Sequence, residues 1–123
     1  MPIKNVARGQ KLVFYLPIWN VGYSTDSFLI YGSGDVAGAY TVKYFLGAIP
    51  KESLDVTSMV KAGTFSTATL ASGAYTGDAT MLRVEITVDR HAVSKSTSVV
   101  TISGMSSVNI QKTDSVRISL TVK

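Results

Sequence analysis

Apolar and polar residues alternate with a two-residue period in segment after segment of this chain, the periodicity of β-strands half-buried in a sheet. The pattern is clearest over Thr80–Val88, where Leu82, Val84, Ile86 and Val88 alternate with Met81, Arg83, Glu85 and Thr87. It predicts a strand dry on one face and wet on the other. Lys11–Trp19 repeats the pattern, with Leu12, Phe14, Leu16 and Ile18 on one face. The opposite face carries Val13, Tyr15 and Trp19, which is apolar for a solvent face, so a crossing strand or a partner is expected to cover it. Pro17 has no N–H to donate and belongs at an edge or a bulge.

The same reading predicts strands over Asp26–Tyr31, with Phe28 and Ile30 inward, and over Ala39–Leu46, with Tyr40, Val42, Tyr44 and Leu46 on one face. Thr64–Leu70 is strand-like. Thr97–Ser103 directs Val100 and Ile102 inward, and Ser115–Val122 does so with Val116, Ile118, Leu120 and Val122. Leu54–Val60 admits a short strand or one helical turn begun by an Asp cap; irregular or short-strand structure is the favoured expectation. Turn signals separate these segments, Asn20-Val21-Gly22 and Gly32-Ser33-Gly34-Asp35 among them. About seven or eight short strands so spaced predict an all-β fold, an antiparallel β-sandwich. Residues 1–10 read as an N-terminal lead-in ending in the turn Ala7–Gln10, and residues 11–123 as the single sandwich domain.

Composition sharpens this picture. Charged residues make up only 16% of the 123 residues, so Ser, Thr, Asn and Gln must carry much of the polar surface, as in β-proteins. The net charge of +4 is spread from Lys4 to Lys123 without a run, unlike the clustered stripe of a nucleic-acid binder; no nucleic-acid partner is expected. No segment is apolar enough over the length needed to span a bilayer as a helix, so no membrane insertion is expected. The segment after Met1 lacks an apolar run of signal-peptide length.

Catalytic chemistry finds little support. The chain has no cysteine, which removes disulfides, thiolate metal sites and Cys nucleophiles. His91 is the sole histidine and reads as a solvated loop residue after the strongest strand. Ser and Thr are abundant, but no Gly-x-Ser-x-Gly elbow supplies an activated nucleophile. Gly32-Ser33-Gly34-Asp35 lacks the Lys-Ser/Thr of a phosphate loop. The carboxylates are scattered without an Asp-x-Asp-x-Asp run, so neither a calcium loop nor a paired-carboxylate site is expected. Asp26 reads as bonding turn backbone near Gly22. No cofactor, metal or enzymatic activity is expected.

The order Asn20-x-Gly22, Asp26-x-Phe28, Tyr40-Thr41-Val42-Lys43-Tyr44, Asp55-Val56-Thr57, Ala62-Gly63-Thr64-Phe65, Leu70-Ala71-Ser72-Gly73, Leu82–Val88 and Asp114-Ser115-Val116-Arg117 resembles the immunoglobulin-like modules of large bacterial surface and secreted proteins. These are the CARDB-like domains and the relatives appended to alpha-galactosidases and other glycosidases. The resemblance covers residues 7–122 and implies an immunoglobulin-like sandwich that serves as a spacer, adhesion or accessory module without shared catalytic residues.

The functional expectation is a structural module attached to a larger assembly. If Met1 is the native start rather than one added to a module of a longer chain, a single sandwich without an export signal fits a phage virion protein, a capsid decoration or a tail-associated component, at the virion surface. Its partner would be a capsid or surface protein, or another copy of itself. Strand addition by residues 1–10 is one expected mode of contact. The alternative is a carbohydrate-binding or adhesion accessory module of an exported, cell-surface protein, with a glycan as ligand. The aromatics Tyr15, Trp19, Tyr23, Tyr31, Tyr40, Tyr44 and Phe45 gather in the first half of the chain. They serve either as core filling or as a stacking surface. Tyr15, Trp19 and Tyr23 are the candidate partner-contact residues. Trp19 reads first as core and second as contact, whereas Tyr23, in a turn, is the harder to bury.

Overall fold

A computed structural model describes residues 3–19, 25–47, 54–67, 70, 79–108 and 111–123. Among them, nine strands and one short helix follow in the order β1 (Ile3–Val6), β2 (Lys11–Trp19), β3 (Phe28–Gly32), β4 (Tyr40–Leu46), β5 (Leu54–Asp55), α1 (Thr57–Ala62), β6 (Phe65–Ser66), β7 (Ala79–Val88), β8 (Thr97–Ser106) and β9 (Thr113–Val122). They form a five-stranded sheet, β1-β9-β8-β3-β6, and a four-stranded sheet, β2-β7-β4-β5. Every pairing is antiparallel except β1 with β9. β2, β7 and β4 take the places of strands B, E and D of an immunoglobulin-like sandwich, and β3, β8 and β9 those of C, F and G. The protein is an all-β sandwich.

The alternating residues build the core. Val42, Tyr44, Leu82, Val84, Ile86, Val100, Ile118 and Leu120 are buried on the facing sides of the two sheets. Leu12, Phe14, Leu16 and Ile18 of β2 pack against this cluster but stay only half-buried, because β2 is the outermost strand of its sheet. Pro17 therefore lies on an edge strand, where a missing donor is tolerated. Gly32 lets two strands close up: a Cβ there would lie 2.5 Å from Tyr44 Oη, whose hydroxyl donates to the Ser33 carbonyl at 2.8 Å.

Several expectations change. The lead-in of residues 1–10 contains β1, which pairs with β9 and buries Val6 in the core. The turn Ala7–Gln10 is present, with Gln10 N–H donating to the Ala7 carbonyl and Gly9 at φ 77. The described strands number nine against the expected seven or eight because β1, a four-residue piece too short to show a period, reads as lead-in and is defined only by its edge pairing with β9. Leu54–Val60 is not simply a short strand: β5 passes into α1. Val56 and Val60, four apart and both fully buried, give the turn its inner side. Asp55 Oδ1 accepts from Thr57 N–H at 2.9 Å, and Gly63 at φ 74 closes the C-terminus with its N–H directed to the Met59 and Val60 carbonyls. Of the strand expected over Thr64–Leu70, the described residues show β6 at Phe65–Ser66 and an isolated bridge between Asp26 and Leu70; residues 68–69 lie outside them. Val116, on the inward side of β9 by alternation, is 38% exposed.

Candidate contact surface on the four-stranded sheet

The outward face of the four-stranded sheet follows from its register. Tyr15 of β2 lies opposite Arg83 of β7, which lies opposite Phe45 of β4. One row along, Val13, Glu85 and Lys43 are aligned in the same way. Val13 and Tyr15 are 42% and 51% exposed, so no described residue covers the apolar second face of β2.

Arg83 departs from the alternation. Its position is on the wet face, yet it is 3% exposed. Its guanidinium carbon sits 4.4 Å from the centroid of the Phe45 ring, a cation–π contact. Nε donates to Glu85 Oε2 at 2.9 Å, and Lys11 Nζ reaches Glu85 Oε1 at 2.9 Å. Burial would raise the Glu85 carboxyl, but Lys11 and Arg83 outweigh it and hold Glu85 below its ordinary range. Arg83 Nη1 is buried without an acceptor. The result is a patch with an aliphatic and aromatic surface, Val13 and Tyr15, beside a dry cation stacked on a ring. Aromatic residues and arginine are the types enriched where proteins meet.

Of the sequence-derived contact residues, Tyr15 is exposed on this face. Trp19 ends β2, but its side chain and the whole of Tyr23 lie outside the described residues. The other aromatics do not join Tyr15 in one platform. Tyr40 and Tyr44 are core residues, Tyr31 is exposed on the other sheet, and Phe45 lies half-buried under Arg83. Arg83 was missed as a surface-shaping residue because alternation marks it as an ordinary solvated side chain. The only available signal was its register opposite two aromatics, which a sequence does not display.

Other polar side chains bond backbone N–H groups and neighbouring side chains. The turn at Gly22, the expected backbone partner of Asp26, lies outside the described residues. Asp26 is buried. Oδ1 accepts from Ser107 N–H, Ser107 Oγ and Val108 N–H at 3.1, 2.7 and 3.2 Å, while Oδ2 accepts from Ser106 Oγ. Burial would raise this carboxyl; the bonds from Ser106, Ser107 and Val108 outweigh it and lower it. Asp35 is lowered by the bond from Lys61 and by the Val42 N–H. His91 is exposed, and its N–H donates to Asp89 Oδ1 at 2.7 Å. Among the described residues, no group of three His, Cys, Asp or Glu is placed to hold a metal ion. A cavity of about 10 Å³ between Val6, Tyr40, Val88, Leu120 and Val122 has room for one water. No protein-family model matches the chain, and no curated protein matches it.

Proposed function

We propose that this protein is a non-enzymatic attachment module displayed on a larger assembly, a phage virion protein of the capsid-decoration or tail-associated kind. The reading is supported by one observation above others. Val13 and Tyr15 stand exposed side by side on an edge strand, next to the Arg83–Phe45 stack. An aromatic and aliphatic patch beside a desolvated arginine is the composition of a protein contact. The patch sits on regular strands paired along their length, which limits the backbone ordering cost of binding.

The test is a density gradient of particles from the organism that encodes the chain, probed with an antibody against it. The protein is expected in the particle peak. Recombinant protein is expected to rebind stripped particles, and the double variant Val13→Ser/Tyr15→Ser to bind at least about tenfold more weakly. Protein confined to the soluble fractions would overturn the reading.

The second reading is a carbohydrate-binding or adhesion accessory module of an exported bacterial protein. It is favoured by the exposed ring of Tyr15 alone. Binding to a defined glycan on an array, abolished by Tyr15→Ala, would select it.

A further inference from the structure

We infer that two copies of this chain associate through the free edge of β2, antiparallel about a two-fold axis at Val13, joining their four-stranded sheets into one. Val88 N–H donates to the Gln10 carbonyl at 2.9 Å. By alternation, the even residues of β2 direct their backbone groups to β7. Lys11, Val13 and Tyr15 therefore direct theirs away from the sheet. Among the described residues, no strand lies on that side of β2, and no hydrogen bond reaches these groups from it. A row of unpaired donors and acceptors on a long edge strand is a template for another strand.

The residues along this edge match a second copy. With Val13 opposite Val13, Lys11 of each copy lies opposite Tyr15 of the other, an ammonium beside an aromatic ring with no like charges facing. On the inner face, Leu12 of each copy lies opposite Phe14 of the other. Both are apolar and only half-buried in the single chain, so pairing covers what the sandwich leaves open. Pro17 sets the register. A two-fold axis at Tyr15 would place Pro17 opposite Val13, and each proline would forfeit a ladder bond. The axis at Val13 leaves Pro17 beyond the paired residues, opposite the bulged turn at Gly9. An isologous contact of this kind closes after two copies.

The inference stands apart from the attachment reading, because it is tested without any other partner. Sedimentation velocity over a concentration series is expected to show a monomer–dimer equilibrium. Val13→Pro removes a donor that the chain's own ladder does not use, at the same parity as Pro17. It is expected to keep the fold by circular dichroism and to raise the dimer dissociation constant at least about tenfold. The chain has no cysteine, so Val13→Cys introduces a single thiol. Facing pairs of this type have Cα atoms about 5.5 Å apart, within the roughly 4.4–6.8 Å that a disulfide spans. Val13→Cys is expected to cross-link readily under mild oxidation. Tyr15→Cys, with thiol-bearing residues about 13 Å apart in this register, is expected not to. A monomer throughout the series, an undiminished dimer in folded Val13→Pro, or Tyr15→Cys cross-linking as fast as Val13→Cys would overturn the inference. Should Val13→Pro fail to fold, the cysteine comparison still decides it.

Discussion

Arg83 lies with its guanidinium 4.4 Å from the centre of the Phe45 ring, on the side of the sheet that alternation assigns to water. Its Nε is bound to Glu85, and its Nη1 is buried without an acceptor. The long side chain thus works here as a flat, apolar-stemmed filler more than as a solvated charge.

Replacing it tests that description. Arg83→Met keeps the volume and a favourable contact with Phe45 and removes the orphaned donor, while Glu85 retains Lys11. The expected change in unfolding free energy is within about 1 kcal/mol. Arg83→Ala loses the packing and is expected to cost about 2–3 kcal/mol. Urea denaturation at neutral pH measures both; equal losses in the two variants would contradict the filler role.

Asp26 joins the start of β3 to the connection after β8 through the bonds from Ser106, Ser107 and Val108. Its carboxyl is lowered in the folded protein, as are those of Asp35, Asp55 and Glu85. A lowered carboxyl contributes stability that is complete above its unfolded value. That stability is lost as pH falls through the folded value. Stability is therefore expected to be flat near neutrality and to fall below about pH 4. Asp26→Asn is expected to cost about 2–3 kcal/mol at pH 7 and to flatten the acid limb of the profile. Denaturation series at pH 7 and pH 3 give the comparison, and an unchanged acid limb would count against Asp26 as its main contributor.

Gly32 and Tyr44 are coupled by contact. A methyl group at Gly32 would meet Tyr44 Oη at 2.5 Å, so Gly32→Ala is expected to destabilise by about 1–3 kcal/mol. Tyr44→Phe alone is expected to cost about 1 kcal/mol, from the hydrogen bond lost to the Ser33 carbonyl. Removing the hydroxyl relieves the closest contact while the ring carbon Cζ stays 2.8 Å from the added methyl, so Gly32→Ala should cost less but not nothing, giving a coupling of about 1 kcal/mol in a double-mutant cycle. Strict additivity would show that the strain is relieved elsewhere.

Gly63 ends α1 at φ 74, a conformation that costs a side chain energy. Gly63→Ala is expected to lower stability by about 1 kcal/mol, read by thermal or urea denaturation. No loss would mean that α1 contributes little beyond burying Val56 and Val60.

The chain's own alternation determined the long strands. Lys11–Trp19 is β2 at both ends, and Ala79–Val88 begins one residue before the segment its pattern marks. The inward rows of β4, β7 and β8 followed as well, because a two-residue period acts within a strand and needs no distant partner. Tertiary structure alone decided which strand is an edge, that residues 3–6 belong to the five-stranded sheet, and that β5 leads into a helix. It also decided what the polar residues do. Asp26 meets Ser106 across 80 positions of sequence, and Arg83 is dry because register places it beside Phe45 and Tyr15. Of the contact surface, the apolar second face of β2 was legible, since Val13 and Tyr15 break the polar pattern locally. The free backbone edge beside it was not. Whether a strand's outer hydrogen bonds are used depends on which other strand arrives there, and no local pattern records that.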